Sequence, residues 1–367
     1  MRRLTFLFVL AELLLAFAPT ASAQTNSSQT ILPVEQGLPN QGLPIPVKIG
    51  VGFADLIAFK ESTGIYTATV DVRLRWQDLR LRRPAEEATD PPKIYRGPDA
   101  QAQLAKIWVP ATELVNQRGR ETYSAVGLRI YPDGTVELTR RVRAEFAAAV
   151  NVERFPFDRQ KLRLHVAIPD QSAEMVVLRF DQDDFDFSRA AASVNLDGWD
   201  IQSVALRSDP LAGWYGTTHA QVVASLEIVR QPGIVAATIF IPLFASLLIP
   251  MLSIWLNRLD DGSFQIETFE LVNIIMGGLF AVIALNFTVN SAYEALGSGD
   301  NPVSRLFALN YTTLGVGLLV NVLLFRFGVV ERWFGRYVQE QFYIFLSWAV
   351  PALVLTGAGA IILVAVV

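Results

Sequence analysis

An all-β, immunoglobulin-like sandwich followed by an all-α domain of four transmembrane helices is the fold class that this sequence predicts, and three observations predict it. Residues 45–231 alternate polar and apolar positions at strand period, with frequent turn residues between the runs. Residues 232–367 hold four apolar stretches long enough to cross a bilayer, which takes about 20 residues each. The averages of 51% hydrophobic residues, 18% charged residues and a mean hydropathy of +0.33 therefore conceal two unlike halves.

The chain begins with Arg2 and Arg3, an apolar run over 4–18 and the small-residue site Ala21-Ser22-Ala23. That pattern predicts a secretory signal peptide over 1–23, the apolar run being short for a membrane anchor. Residues 24–44 are polar with Gly and Pro and read as a flexible leader. In the sandwich region, TATVDVRLRW (67–76) and KLRLHVAI (161–168) alternate with period two. VGLRIYPDGTVELTRRV (126–142) sets Pro132-Asp133-Gly134 between two such runs, a turn signal within a hairpin. Ser62-Thr63-Gly64 and Asp197-Gly198 mark further turns, and a short helix is expected only near 101–105. Many short strands at this spacing argue for an antiparallel sandwich over 45–231.

Composition excludes several chemistries. There is no cysteine, hence no disulfide, thiolate metal site or cysteine nucleophile. The two histidines, His165 and His219, are too few for a histidine metal cage, and a net charge of −4 gives no footprint for nucleic acid. No glycine-rich phosphate loop or HExxH motif occurs, so no catalytic residue, metal or cofactor is expected. The acidic run Asp181, Asp183, Asp184 and Asp186 lacks EF-hand spacing and reads as a solvated loop. His165, within an alternating strand, reads as a hydrogen-bonded structural histidine.

The transmembrane domain (232–367) is expected to hold helices at 233–256, 267–293, 306–327 and 342–367. Pro242 and Pro250 fall inside the first, tolerable where neighbouring helices cover the freed carbonyls. The last is uncharged throughout and is expected to face lipid most. Arg326, Arg332 and Arg336 place the third connection on the cytoplasmic side, which agrees with an exported N-terminal domain. The second span is not uniformly apolar. Glu270, Asn273, Gly277, Phe280 or Ala281, Ala284, Thr288 and Ser291 share one helical face. Such a stripe must meet protein or water. Two readings stay open here: several copies lining a pore, or small residues such as Gly277-Gly278 packing against neighbouring helices.

One loop carries a resemblance. Phe155-Pro156-Phe157-Asp158-Arg159-Gln160 resembles the FPFDxQ loop of pentameric ligand-gated ion channels, the Cys-loop receptor superfamily. Ala148 and Leu162 stand where animal members carry the two closing cysteines, so the chain resembles the cysteine-free prokaryotic branch. Trp76-Gln77-Asp78-Leu79-Arg80-Leu81 is similar to the family's WxDxRL strand. Trp108-Val109-Pro110 with Asn116 is similar to its WxPD…N loop, with Ala111 in place of Asp. Gly198-Trp199, Arg230-Gln231-Pro232 and Pro242 extend the likeness over nearly the whole chain after residue 23.

The resemblance implies a homopentamer in a bacterial inner membrane, with a periplasmic ligand-binding sandwich above a central pore. Its implied partners are membrane lipids, permeant cations and a small-molecule or proton agonist. Glu270, Asn273 and Gly277 are then the expected pore and selectivity positions. Phe280, Ala284 and Phe287 are the expected gate, Phe280 standing where the family usually has Leu or Ile; a shift of one residue would substitute Leu279 or Ala281. Phe155, Pro156, Phe157, Asp158, Arg230, Glu61 and Pro302 are expected to couple the sandwich to the helices. Asp71, Arg73, Val115, Trp214 and Tyr215 occupy the ligand-binding positions, too poor in aromatics for a full amine cage. Arg73 and Arg75 suit an anionic ligand or a solvated face. The expected function is a cation-selective ligand-gated channel. An anion-selective channel and a non-conducting membrane sensor remain as alternatives.

Overall fold

The computed structural model describes residues 37–39, 42–256, 259–260, 263–264 and 268–366. The expected signal peptide, most of the expected leader and Glu267 lie outside the described residues. One sheet contains β1 (Ile45–Lys60), β2 (Ile65–Gln77), β3 (Lys93–Arg96), β5 (Gln117–Ile130), β6 (Thr135–Ala147) and β8 (Val176–Arg179), in the order β3-β5-β6-β2-β1-β8. The other contains β4 (Glu113–Leu114), β7 (Arg159–Ser172), β10 (Leu211–Ala212) and β11 (Thr218–Arg230), in the order β10-β11-β7-β4, with β9 (Trp199–Ser208) also on β11. Pairing is antiparallel except between β1 and β8.

The alternation read from the sequence becomes the sandwich core. β1 turns Ile45, Val47, Ile49, Val51 and Phe53 inward, and β2 turns Tyr66, Ala68, Val70, Val72, Leu74 and Trp76 inward. Leu162, Leu164 and Val166 of β7 and Val222, Ala224, Leu226 and Ile228 of β11 meet them from the facing sheet. Each large aliphatic so buried contributes about 1.5–3 kcal/mol. Tyr66 is fully buried, and its hydroxyl donates to the Arg163 carbonyl at 2.7 Å; burial raises the pKa of this phenol.

The Pro132-Asp133-Gly134 segment is the β5–β6 hairpin turn. The Thr135 amide donates to Asp133 Oδ1 at 2.9 Å, and Gly134 adopts φ +88°. A Cβ at Gly134 would sit 2.6 Å from the Asp78 carbonyl oxygen, so only glycine fits this approach. The short helix expected near 101–105 is α1 (Gly97–Leu104), which starts earlier because Pro98 sits in its first turn.

The acidic run differs from the expected solvated loop. It forms a short helix, α2 (Gln182–Phe187), closed by a capping box between Asp181 and Asp184. Asp184 is fully buried and accepts from Arg73 Nη2 at 2.8 Å and Arg75 Nη2 at 2.9 Å. Lys48, donating to Asp181 at 2.6 Å, holds that carboxyl down to about 2.

Below the sandwich run α3 (Pro232–Trp255), α4 (Thr268–Ala292), α5 (Pro302–Val320), α6 (Val329–Phe334) and α7 (Arg336–Val366), with a small ribbon, β12 (Leu259–Asp260) and β13 (Ser263–Phe264), between α3 and α4. Among the described residues, four segments are long and apolar enough to cross a membrane: Val235–Trp255, Phe269–Ala292, Pro302–Arg326 and Arg336–Val366. The third starts four residues before the expected 306. Asn301 caps it by accepting from the Ser304 amide at 2.9 Å, and Pro302 sits in its first turn, where a missing N–H costs nothing. It ends in a π-helical turn, Asn321–Arg326. The fourth starts at 336 rather than 342, because the basic connection is itself helical around the break at Gly335, φ +85°.

Polar clasps satisfy α3 against α5. Asn310 donates to the Leu243 carbonyl at 3.1 Å, and Ser246 donates to Asn310 Oδ1 at 3.0 Å. Lower down, Asn321 donates to the Gly317 carbonyl at 2.7 Å and lies 3.4 Å from Ser253 Oγ. These contacts lie in the turns around Pro242 and Pro250, where proline interrupts the helical ladder.

Burial within the protomer differs among the four spans. Within the protomer 22% of the α4 window is buried, against 28% for α7, 39% for α3 and 44% for α5.

Candidate functional site

The junction between sandwich and helices is built around one guanidinium. Arg230, the last residue of β11, is 5% exposed. Its Nε donates to Asp158 Oδ1 at 2.7 Å and its Nη2 to Asp158 Oδ2 at 3.1 Å. Its Nη1 and Nη2 donate to the two oxygens of Glu61 at 3.1 and 2.5 Å. The Phe155 and Trp199 rings lie against the group, with centroids 4.7 and 4.2 Å from Cζ. Burial alone would lower the Arg230 pKa, but hydrogen bonds to Asp158 and Glu61 outweigh it and the net shift is upward. Planar bidentate pairing with two acids is what arginine, and not lysine, supplies.

Asp158 is 2% exposed and is held from its other side by Gln160, whose Nε2 donates to Oδ2 at 2.6 Å. Gln160 also donates to the Asn151 carbonyl at 2.6 Å, closing the loop without a disulfide. Phe155 is fully buried and packs on Tyr293, just past α4, with centroids 5.4 Å apart. Phe155 and Val152 belong to the apolar cluster of the helices, with Ala295, Leu296 and Val303. A Cβ on Gly299 would lie 3.4 Å from Val152 Cγ2, so the 152–160 loop sits directly on the 293–303 connector. The structure thus brings Glu61, Phe155, Asp158 and Arg230 into one cluster, with Pro302 buried at the start of α5 beyond the connector. Pro156 is buried beside Phe155, and Phe157 is half-buried. Sequence reasoning missed Trp199 and Gln160 as walls of this cluster; Gln160 is part of the loop motif, whereas Trp199, noted with Gly198, lies 31 residues before Arg230 and nothing in the spacing links the two.

On α4, Leu271, Ile275, Gly278, Val282 and Val289 face the protomer's own helices. Glu270, Asn273, Gly277, Ala281, Ala284, Thr288 and Ser291 are all exposed. Phe280 and Phe287 are 66% and 75% exposed. The polar and small stripe therefore does not serve packing within the protomer. Gly278 does: a Cβ there would meet Ile249 Cγ2 at 2.8 Å, whereas one on Gly277 would meet nothing within 4 Å.

The expected ligand positions fall on different sheets. Asp71 and Arg73 lie on β2, Val115 follows β4, and Trp214 and Tyr215 form the tip before β11. Asp71 accepts both nitrogens of an Arg141 fork at 2.7 Å each. Arg73 pairs with Asp184 and lies over the Phe187 ring, 4.3 Å from its centroid. The anion facing Arg73 and Arg75 is thus internal. Val115 is 40% exposed, while Trp214 and Tyr215 stand out at 86% and 101%, Tyr215 with φ +55°. His165 has no ion pair among the described residues; its amide donates to Asn116 Oδ1 at 3.0 Å, its ring Nδ1 lies 3.4 Å from Gln221 Nε2, and burial, then Arg163, lowers its pKa.

The profile of the neurotransmitter-gated ion-channel ligand binding domain matches residues 26–232. A proton-gated ion channel of Gloeobacter violaceus is 23% identical over 249 residues, 68% of this chain and 64% of that protein. The mouse gamma-aminobutyric acid receptor subunit theta is 22% identical over 243 residues, 64% of this chain and 36% of the subunit. The human glycine receptor subunit beta is 22% identical over 263 residues, 67% and 47% of the respective lengths. The chain thus spans less than two thirds of each of these relatives.

Proposed function

The chain belongs to the pentameric ligand-gated ion channel superfamily, on its cysteine-free branch, and we propose that it is an agonist-gated, cation-selective channel formed by five copies. It is a multi-pass membrane protein with an extracellular N-terminal domain. The observation that carries the channel reading is the exposure of α4. The span that carries the polar and small stripe from Glu270 to Ser291 is the one its own protomer covers least, at 22%. A polar stripe left uncovered in a bilayer must meet water or other copies. Five copies turning Asn273, Gly277, Phe280, Ala284 and Phe287 toward an axis satisfy both demands. A ring of phenylalanines at the Phe280 level closes such a path by dewetting.

Glu270 is exposed in the first turn of α4. Five such carboxylates, each about 5 Å from a cation, contribute roughly 0.8 kcal/mol apiece in water, roughly 4 kcal/mol together before screening. The same sum repels an anion, hence the cation assignment. The Arg230 cluster is the coupling element: agonist-driven movement of the sandwich reaches the 293–303 connector through Phe155 and Val152. The agonist is a small molecule or a proton, the latter being what the Gloeobacter relative is named for. A bacterial inner membrane with a periplasmic sandwich is the setting.

Reversal potentials in a salt gradient, recorded in planar bilayers across pH steps and small-molecule panels, test this reading. Agonist-evoked currents reversing near the cation equilibrium potential are expected. Reversal toward the anion potential overturns the selectivity, and silence under every condition favours a non-conducting sensor. Asp158→Asn is expected to abolish evoked currents while the assembly persists.

A further inference from the structure

His165 joins two connections of the sandwich. Its carbonyl accepts from the Val115 amide at 2.9 Å and its amide donates to Asn116 Oδ1 at 3.0 Å, which ties its backbone to the connection after β4. Its ring Nδ1 lies 3.4 Å from Gln221 Nε2 on β11. The Gln221 carbonyl in turn accepts from the Asp209 amide at 3.1 Å, where the 209–217 connection that carries Trp214 and Tyr215 leaves β9. The β7–β11 register shifts between His219 and Gln221, so the ladder is already broken on the tip side of this contact.

Gln221 is 5% exposed, and its Oε1 is buried without a hydrogen-bond partner among the described residues. A neutral imidazole can accept at Nδ1 from the carboxamide N–H, whereas an imidazolium carries a donor on each nitrogen. A proton on Nδ1 therefore sets two donors against each other across 3.4 Å. Turning the Gln221 carboxamide end for end removes that conflict and gives the partnerless Oε1 a charged donor, a stronger bond than the neutral one it replaces. The charged groups around the ring are Arg163 on its own strand, Arg207 near the end of β9 and Asp209 just beyond it, the last two paired at 3.0 Å. On β4, Glu113 stands opposite Ala167, two positions along β7; on β11, His219 stands opposite Ser172, beyond the register shift. Burial first, then Arg163, disfavours the imidazolium; Asp209 favours it and Arg207 opposes it. The ring therefore charges below the ordinary value of 6.5.

We propose that His165 and Gln221 form a proton-driven switch: protonation of the ring reverses their hydrogen bond, reseats Gln221 on β11 and moves the root of the 209–217 connection against the Val115–Asn116 segment. The inference deepens the agonist-gated reading, naming the group in the sandwich that takes up a proton, and rests on that reading for any effect on current.

The cysteine-free chain allows a single environment-sensitive fluorophore on Trp214→Cys in the detergent-solubilised full protein. It is titrated from about pH 8 to about pH 5, the range in which an imidazole changes charge. One sigmoidal change with its midpoint below 6.5 is expected. His165→Gln and Gln221→Leu should each abolish it. Arg163→Gln should raise the midpoint, since a like charge is gone. Arg163 is exposed, so this variant keeps the test decisive where a substitution at buried Gln221 folds poorly. The same fluorophore on Glu86→Cys, exposed in the β2–β3 connection, should stay flat. A flat response at Trp214→Cys, or a sigmoid that survives His165→Gln or Gln221→Leu, would overturn the proposal. The two readings fail separately. A sigmoid without current at any pH supports the switch and removes the channel; proton-evoked currents that survive His165→Gln beside a flat reporter remove the switch and leave the channel.

Discussion

Arg230 has two acids in the plane of its guanidinium and two aromatic rings against it, so its environment leaves no room for an uncharged substitute. Removing one partner of a buried pair strands the other charge, at a cost of about 3–5 kcal/mol. Arg230→Ala is therefore expected to lower stability in detergent melts by that order. Glu61→Gln should cost less, because the Glu61 side chain is 21% exposed and water can replace the lost bond. A loss in Glu61→Gln equal to that in Arg230→Ala would show that water does not reach the vacated bond. His165 is a second residue with a readable consequence. Burial and Arg163 hold its pKa below the ordinary 6.5. The unfolded chain then binds a proton that the folded chain resists. The neutral ring therefore supports folding in full above about pH 6.5, and that support is lost as pH falls through the lowered folded value. His165→Gln should shrink the drop in Tm between about pH 7 and about pH 5; an unchanged drop would assign the pH dependence to other groups. The FPFDxQ loop made Asp158 and Arg230 legible as partners. Trp199 was not, because a ring stacked on a charge leaves no trace in spacing.

Elements divide by whether their determinants are local. Strand alternation and apolar length are local, and β2, β6, β7 and the four spans follow from them. The acidic helix α2 is set by distant residues: Asp184 looks solvated until β2 supplies Arg73 and Arg75 from more than 100 positions away. The start of α5 was hidden because Pro302 reads as a loop residue unless Asn301 before it is recognised as a cap. Asn301 is fully buried and also donates to the Leu296 and Gly299 carbonyls, both at 2.9 Å. Asn301→Ala should cost about 1 kcal/mol for the cap, with further loss from the two orphaned carbonyls, measurable as a lower melting midpoint. The adjacent glycines of α4 separate packing from pore. Gly278→Ala forces Ile249 aside and should destabilise the bundle by about 1–3 kcal/mol. Gly277→Ala meets nothing within the protomer and should leave stability unchanged while reducing conductance. If Gly277→Ala proved the more destabilising of the two in melts, the assigned orientation of α4 would be wrong.

At the scale of the whole molecule, the protomer is a sandwich locked onto a helix bundle that leaves the polar and small stripe of α4 uncovered. Sequence periodicity identified that face as unusual but left both pore lining and helix packing open. The structure removes packing within the protomer as its purpose, since Leu271, Ile275, Gly278, Val282 and Val289 on the other side serve that role. The ligand residues were least legible, because Asp71 and Arg73 stand on one sheet while Val115, Trp214 and Tyr215 lie in the connections of the other. The absence of cysteine from the sequence gives the central claim a clean test. Single cysteines placed from 269 to 292 can be exposed to a charged, membrane-impermeant thiol reagent during agonist-evoked current recording. Block at 273, 277, 280, 284, 287 and 291, with none at 271, 275, 278, 282 and 289, is the predicted result. Block without helical periodicity, or none at any position in conducting protein, would contradict an ion path along α4.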